Sequence, residues 1–204
     1  MADNRDPVLL PVPIRSLRPT QLTVGLIEVE AKRDQWRKDQ EKGMFLGQHM
    51  IPVVIGPGKH AYVIDHHHLA RALHDEGQQE VLIQKIANLE GLSKENFWRF
   101  LDYQGWLHPF DEHGERQPFS KIPKKIGHLK DDPFRSLAGA VRKAGGYSKD
   151  VRPFAEFIWA DYFRRSFKAG DIRKRWEKTL EEAVALARLH EAHFMPGWCG
   201  PHLN

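Results

Sequence analysis

Three consecutive histidines follow an aspartate in the segment YVIDHHHLARAL, which runs from Tyr62 to Leu73. The apolar residues before Asp65 are typical of the end of a strand, and those after it have helical spacing. The first turn of a helix carries unpaired backbone N–H groups and a partial positive charge, and both attract anions. Imidazoles add hydrogen-bond donors that titrate near neutral pH. The junction therefore predicts a phosphate site.

The three imidazoles are expected to point in different directions. Neighbouring residues of an α-helix are about 100° apart around the axis, so His66, His67 and His68 cannot all bind one metal ion. On a helical wheel His67 lies on the same polar face as Arg71, with His68 between the polar and apolar faces and His66 near the apolar edge. The apolar face itself consists of Leu69, Ala72 and Leu73.

Asp65 has alternative roles at this junction. It can be the N-cap of the helix, hold a histidine tautomer, or contact a metal-bound phosphate. The competing interpretation is structural: Asp65 only caps the helix, His66 packs against the fold and His67 is solvated. Both interpretations predict a helix that begins near Asp65.

A second group of polar residues precedes this junction, in the segment PTQLTVGLIEVEAK. It supplies Thr20, Gln21, Glu28 and Lys32. The i, i+4 spacing of Glu28 and Lys32 is also that of an ordinary exposed ion pair on a helix, so the spacing alone does not assign a function.

The elements that must position these residues form a mixed α/β pattern in the first half of the chain. Alternating apolar residues and prolines over Val8 to Pro19 predict an edge strand, and a helical pattern follows it up to Gly43. Two apolar runs around Gly56-Pro57-Gly58 predict a β-hairpin. The helix HHLARALHDEG is predicted to end at Gly77, before the strand EVLIQKIANL.

The second half of the chain has helical spacing throughout. Ser93 is predicted to cap one helix, and an aspartate before Pro133 is predicted to cap another. RPFAEFIWADYFRRSF is predicted to bury one aromatic face with Trp159 at its margin, and the residues from Asp171 to Phe194 are predicted to form one long helix. We expect an α+β (α/β mixed) fold with a small sheet domain at 1–92 and a helical C-terminal half at 93–204 packed on it, with one compact unit as the alternative.

Composition narrows the class of protein. The chain of 204 residues is 41% hydrophobic, has a net charge of +4, and carries one cysteine. This is enough apolar content for a core, and the weak positive charge favours nucleotide or nucleic acid partners. A single cysteine and the lack of a long apolar run predict a cytoplasmic protein with no membrane association.

Two further segments contain candidate ligands. The loop HPFDEHGERQPFSKIPKKIGHLKDD carries lysines that could contact a polyanion, although a solvated, turn-rich connector explains it equally. The C-terminal segment HEAHFMPGWCGPH places His190, His193, Cys199 and His202 at spacings that can form a tetrahedral zinc site. We expect an ordinary helix end and a packed tail there instead of zinc.

The segment PVVIGPGKHAYVIDHHHLARAL resembles the signature of the ParB/sulfiredoxin fold, in which a hairpin strand and a short turn open a helix that binds nucleotide phosphates. Across most of the chain, the order of LRPTQLTVG, DHHH, HPFDEHGER, LKDDPFRSLAGAVRKAGGY, FAEFIWADYFRR and MPGWCG is similar to the subfamily named "putative ParB-like nucleases". The resemblance implies a small ParB/sulfiredoxin-like sheet domain. It also implies that the segment of Thr20 and Gln21 crosses the mouth of the site.

Departures from the wider superfamily limit what the resemblance implies. His67 stands where sulfiredoxin has its catalytic cysteine, so we expect no reductase activity. Leu69 replaces the arginine that binds phosphate, and Arg71 could substitute for it only from another direction. No helix-turn-helix segment is visible, so we expect no sequence-specific DNA partitioning.

The resulting functional hypothesis is a metal-assisted hydrolase of phosphate esters, either a nuclease or a nucleotide-hydrolysing enzyme. Asp65 would hold Mg²⁺ or orient a histidine, and His68 would be the general acid or base. Thr20, Gln21, His67 and Arg71 would contact phosphate, Lys32 would stabilise developing charge, and Glu28 is a possible base. The alternatives are a non-catalytic nucleotide- or DNA-binding module and a nucleotide-dependent small-molecule kinase.

Overall fold

The computed structural model describes residues 10–201. Within this range the strands are β1 (Leu10–Pro13), β2 (Arg18–Pro19), β3 (Thr23–Val24), β4 (Ile51–Gly56), β5 (His60–Val63), β6 (Glu80–Asn88) and β7 (Lys130–Asp131). The α-helices are α1 (Leu26–Lys38), α2 (Lys42–Gln48), α3 (His67–Asp75), α4 (Lys94–Tyr103), α5 (Pro133–Lys143), α6 (Ala155–Arg164), α7 (Ala169–Lys174) and α8 (Trp176–Arg188). This content confirms the predicted α+β class.

The described chain divides into two compact units. Unit 1 comprises residues 10–23, 29–111 and 115–130, and unit 2 comprises residues 24–28, 112–114 and 131–201. The division passes through the short strand pair β3 and β7 and through the first turn of α1. The predicted boundary after Leu92, between a sheet domain and a helical half, stays a prediction.

Unit 1 is built on a mixed sheet with the strand order β1-β6-β4-β5-β2. β1 pairs antiparallel with β6, β6 pairs parallel with β4, β4 pairs antiparallel with β5, and β5 pairs parallel with β2. The predicted hairpin is therefore β4 and β5, joined by the turn Pro57–Lys59, in which Gly58 has a φ of 74°. β1 is an edge strand, as its prolines predict. Val8, where that prediction began, lies outside the described residues.

An aromatic cluster packs beneath this sheet. Tyr62 of β5 contacts Phe97 and Trp98 of α4, with ring centroids 4.6 and 5.4 Å apart respectively. Ser93 caps α4 as predicted, because its Oγ accepts a hydrogen bond from the backbone N–H of Asn96 at 3.2 Å. The predicted helix end at Gly43 is wrong, since α1 already ends at Lys38 and Gly43 lies inside α2.

Unit 2 is a set of helices around Trp159, which is fully buried and stacks on Tyr147 at 4.3 Å. The prediction that Trp159 lies at the margin of its helix is wrong. The helix begins at Ala155, after Phe154 with a φ of 62°, and its buried residues are Ala155, Trp159, Ala160 and Phe163. The predicted long helix from Asp171 is two helices, α7 and α8, separated by Arg175 at φ −135°.

The N terminus of α5 is fixed by a buried ion pair. Asp132 is 2% exposed; its Oδ1 accepts from the N–H of Phe134 at 3.0 Å, and its Oδ2 lies 2.8 Å from Nη2 of Arg164. Pro133 occupies the first helical turn, where its missing N–H has no cost. The predicted aspartate cap is confirmed, and the structure adds the arginine that neutralises it.

Replacing Asp132 by Ala should lower the free energy of unfolding by about 3–5 kcal/mol, because it leaves the half-buried cation of Arg164 without its partner and removes a helix cap. Urea denaturation measures this change. Asp161 also contacts Arg164, at 3.3 Å, but its side chain is 47% exposed, so Asp161→Ala should cost about 1 kcal/mol or less. Equal losses in the two variants would contradict the buried role of Asp132.

Candidate functional site

The helix α3 begins with an unusual backbone conformation. His66 is its N-cap, with φ 63° and ψ 27°, in the left-handed region that non-glycine residues rarely adopt. The Oδ1 atom of Asp65 accepts from the N–H of His66 at 2.6 Å. The prediction that Asp65 is the N-cap is therefore wrong, because its carboxylate holds the next residue's amide instead of a first-turn amide of the helix.

The side chain of His66, the N-cap residue, forms no hydrogen bond with the first turn of α3. A capping hydroxyl or carboxylate normally satisfies one of those N–H groups. Without such a cap, the partial positive charge of the helix end is not neutralised by the residue that precedes it. This local geometry suits a phosphate or another oxyanion.

His67 ties the start of α3 to the residue that follows β2. It is 6% exposed, and the backbone N–H of Thr20 donates to its Nε2 at 3.2 Å. The hydroxyl of Thr20 donates to the carbonyl of Val63 at 2.8 Å. Since Nε2 of His67 accepts a hydrogen bond, the single N–H proton of the neutral ring is on Nδ1. His67 is thus a buried anchor, and its predicted place on a polar face beside Arg71 is wrong.

The structural interpretation of the sequence also assigned the first two histidines the wrong way round. His66 is exposed, and His67 is buried. The Nδ1 of His66 lies 3.0 Å from the carbonyl oxygen of Met50, to which it donates. His66 has left-handed backbone angles and lies outside the helix, which begins at the buried His67, whereas Leu69, Ala72 and Leu73 form the buried face as predicted.

His68 lies half-buried in the first turn of α3, one residue after the buried His67. Its ring is therefore at the helix end that lacks a capping side chain. Asp65 is exposed on the other side of His66. The structure thus places an exposed carboxylate, an exposed imidazole and a half-buried imidazole within four consecutive residues.

The side chain of Arg71 bonds to two residues of unit 1. Its Nε lies 2.8 Å from Oδ2 of Asp75, one helical turn later, and its Nη1 donates to the carbonyl of Leu129 at 2.7 Å. Two of its nitrogens therefore hold α3 to the segment before β7. Its predicted contact with phosphate stays a prediction, with the remaining Nη2 as the donor that these bonds leave over.

The other predicted contacts differ in their surroundings. Thr20 and Gln21 are buried, and Lys32 is half-buried on α1 without an ion pair to any residue between 10 and 201. Glu28 belongs to unit 2, where its Oε1 lies 3.9 Å from Nζ of Lys143. The interpretation of Glu28 and Lys32 as an exposed pair is wrong, because Glu28 pairs with Lys143. The predicted functional roles of these four residues stay predictions.

The donor set at the junction fits Mg²⁺ in one particular mode. Magnesium commonly takes one or two protein carboxylates and completes its shell with phosphate oxygens and water. Asp65 is an exposed carboxylate, and one of its oxygens is free of the bond to His66. No group of three His, Cys, Asp or Glu side chains suited to a metal occurs among the described residues. Any Mg²⁺ here would therefore depend on the bound phosphate.

The C-terminal histidines pack in a different way from the zinc pattern. His190 and His193 stack with centroids 5.0 Å apart, and His193 Nδ1 donates to the carbonyl of His190. The Sγ of Cys199 lies 3.0 Å from Oγ of Ser148. His202 lies outside the described residues, so the expectation of no zinc stays a prediction.

Replacing His67 by Ala should lower the free energy of unfolding by about 1–3 kcal/mol, because the buried N–H of Thr20 loses its acceptor. Chemical denaturation followed by tryptophan fluorescence measures it. The exposed His128 of the same unit is the control, and His128→Ala should change the free energy by about 0.5 kcal/mol or less. A His67 variant as stable as the control would show that the Thr20 bond contributes nothing.

None of the described helices is both long enough and apolar enough to span a bilayer. Comparison with functionally curated proteins gives no match.

Two comparisons connect the chain to known proteins. The crystal structure of protein Atu1540 from Agrobacterium tumefaciens is similar, with a TM-score of 0.90 and 47% sequence identity over 97% of this chain and 100% of that one. A family model described as "Putative ParB-like nuclease" matches residues 10–165. That match includes the DHHH junction, the sheet of unit 1 and the helices α5 and α6. The chain therefore belongs to the family that this model describes as "Putative ParB-like nuclease".

Proposed function

We propose that the protein binds phosphate groups of a nucleotide or nucleic acid at the N terminus of α3 and hydrolyses a phosphate ester there. The observation that carries this proposal is the left-handed His66, which opens α3 without a side-chain cap next to the exposed Asp65. The family's description as a nuclease supports the same class of substrate.

The first step is binding of the anion. The helix end supplies backbone N–H donors and a positive partial charge, and the exposed ring of His66 adds a donor when it is protonated. Nδ1 of His66 donates to the carbonyl of Met50. Nε2 is therefore the ring nitrogen that this bond leaves for an anion. His67 acts as a positioning residue, because its ring is occupied by Thr20.

Hydrolysis then requires a nucleophile and proton transfer. Water attacks phosphorus, the bond from phosphorus to the leaving oxygen breaks, and His68 accepts the proton of water or donates one to the leaving group. Mg²⁺ on Asp65 and the phosphate oxygens would neutralise charge that develops on those oxygens. Asp65 would also keep His66 in its left-handed conformation, through the 2.6 Å bond to its amide.

The binding step predicts that a nucleotide raises the melting temperature of the protein and that this rise depends on Mg²⁺. A thermal-shift assay tests it with CTP, ATP, ADP, inorganic phosphate and a short single-stranded DNA. A ligand that binds the native state at about 100 times its dissociation constant adds about 2.7 kcal/mol of stability. Asp65→Asn should lose the Mg²⁺-dependent part, and His128→Ala should keep the full rise. No response of the wild type to any of these ligands would contradict a phosphate site at α3.

The catalytic step predicts that His68→Ala lowers kcat about 10²–10⁴-fold, the usual contribution of a general acid or base, and leaves the melting temperature and ligand binding intact. Product formation is followed by chromatography of nucleotides and by gel analysis of labelled DNA. Turnover equal to that of His128→Ala would remove His68 from the mechanism. Binding without turnover in the wild type would favour a binding module, and product that needs an added hydroxyl acceptor would favour a kinase.

A further inference from the structure

Arg135 in α5 is a buried cation without a hydrogen-bonding partner. The residue is 5% exposed, and neither Nε nor Nη1 has a hydrogen-bond partner in the described part of the chain. No carboxylate oxygen of residues 10–201 forms an ion pair with it. Guanidinium groups have five N–H donors and are almost always bonded when buried. An unused pair of donors at such a site points to a missing acceptor.

The surroundings of Arg135 hold it in place without satisfying it. Its guanidinium carbon lies 3.1 Å from the ring centroid of Phe157, so one face stacks on the aromatic ring. Burial lowers the pKa of Arg135, and the carboxylates of Glu156, Asp132 and Glu28 oppose that shift from a distance. The guanidinium is thus fixed in plane, and its edges remain for an acceptor.

The next residue of α5 adds a second unused donor. Ser136 is 3% exposed, and its Oγ has no hydrogen-bond partner among the residues that the structure describes. A Cβ atom on Gly25 would lie 2.4 Å from that Oγ, so only glycine allows the chain to pass there. Two adjacent buried residues of one helix therefore both lack the acceptors that their chemistry requires.

The face of α5 that carries Arg135 also lies close to a carboxylate. A Cβ atom on Gly139 would lie 3.1 Å from Oε2 of Glu28, and Lys143 lies one turn further along the helix, 3.9 Å from the other oxygen. Arg135, Gly139 and Lys143 follow each other at i, i+4 and i+8, so they share one face of the helix. Charge of both signs is therefore concentrated along this face.

We propose that Arg135 forms a binding site in unit 2 for the carboxylate of a small organic acid. Guanidinium donors match the oxygens of such a group. The nearby carboxylates favour a ligand group with a single negative charge, because a phosphate dianion would be repelled more strongly. This site uses residues of unit 2 alone, and it does not rest on the function proposed for α3.

The test is a titration of the whole protein with acetate and, separately, with inorganic phosphate, each at constant ionic strength set by chloride. Acetate should raise the melting temperature by about 5 °C or more near 100 times its dissociation constant. Arg135→Gln should abolish this rise. Arg173→Gln is the matched control, since it removes one cation of unit 2 whose side chain is 54% exposed and paired with Asp131, and it should retain the rise.

The outcomes separate the proposal from its rivals. A rise with phosphate but none with acetate would overturn the carboxylate assignment, and a rise that survives in Arg135→Gln would overturn the site. If Arg135→Gln does not fold, the Nε–H resonance of Arg135 in the wild type decides the question. That resonance should shift saturably with acetate, and a resonance that acetate leaves unmoved would show that the buried guanidinium binds no such anion.

Discussion

The hydrogen bond from the backbone of Thr20 to the ring of His67 fixes the geometry on which the candidate site depends. It lies between two buried groups, so its loss would leave a desolvated N–H without an acceptor. His67 is thereby turned inward, and the residue before it reverses the chain in the left-handed region. That reversal exposes His66 and Asp65 and leaves the helix end without a cap from the preceding residue. The contact thus holds His67 in the interior, whereas His66 is exposed.

Local sequence signals were sufficient for most of the elements. The hairpin followed from two apolar runs around Gly56-Pro57-Gly58, and the caps at Ser93 and Asp132 followed from residue types with a short-range mechanism. The end of α3 was also predicted, since Gly77 has a φ of 73° just after it. These features depend on a few neighbouring residues, which is why one sequence reveals them.

Errors arose where a distant residue or a rare backbone angle decides the outcome. The predicted apolar face of α3 is confirmed, since Leu69, Ala72 and Leu73 are buried, but nothing in DHHH signals that His66 adopts a positive φ and that His67 is buried. In α6 tertiary packing buries Trp159 and Phe163, and the helical spacing of the aromatic residues alone did not select that face. The sequence does not single out Arg135, because a single arginine in an amphipathic helix normally reaches solvent. Only the tertiary structure, in which its guanidinium stacks on the ring of Phe157, reveals that it is buried.

The strand order of unit 1 imposes a sequence of events on synthesis of the chain. β1 pairs with β6, so Leu10 meets its partner Ile83 only after more than seventy further residues have been made. β6 also lies between β1 and β4, and the hairpin of β4 and β5 can form earlier because its strands are adjacent in sequence. The N-terminal strand must therefore remain unpaired as the chain leaves the ribosome, and its prolines, Pro11 and Pro13, protect that edge from pairing with other nascent chains.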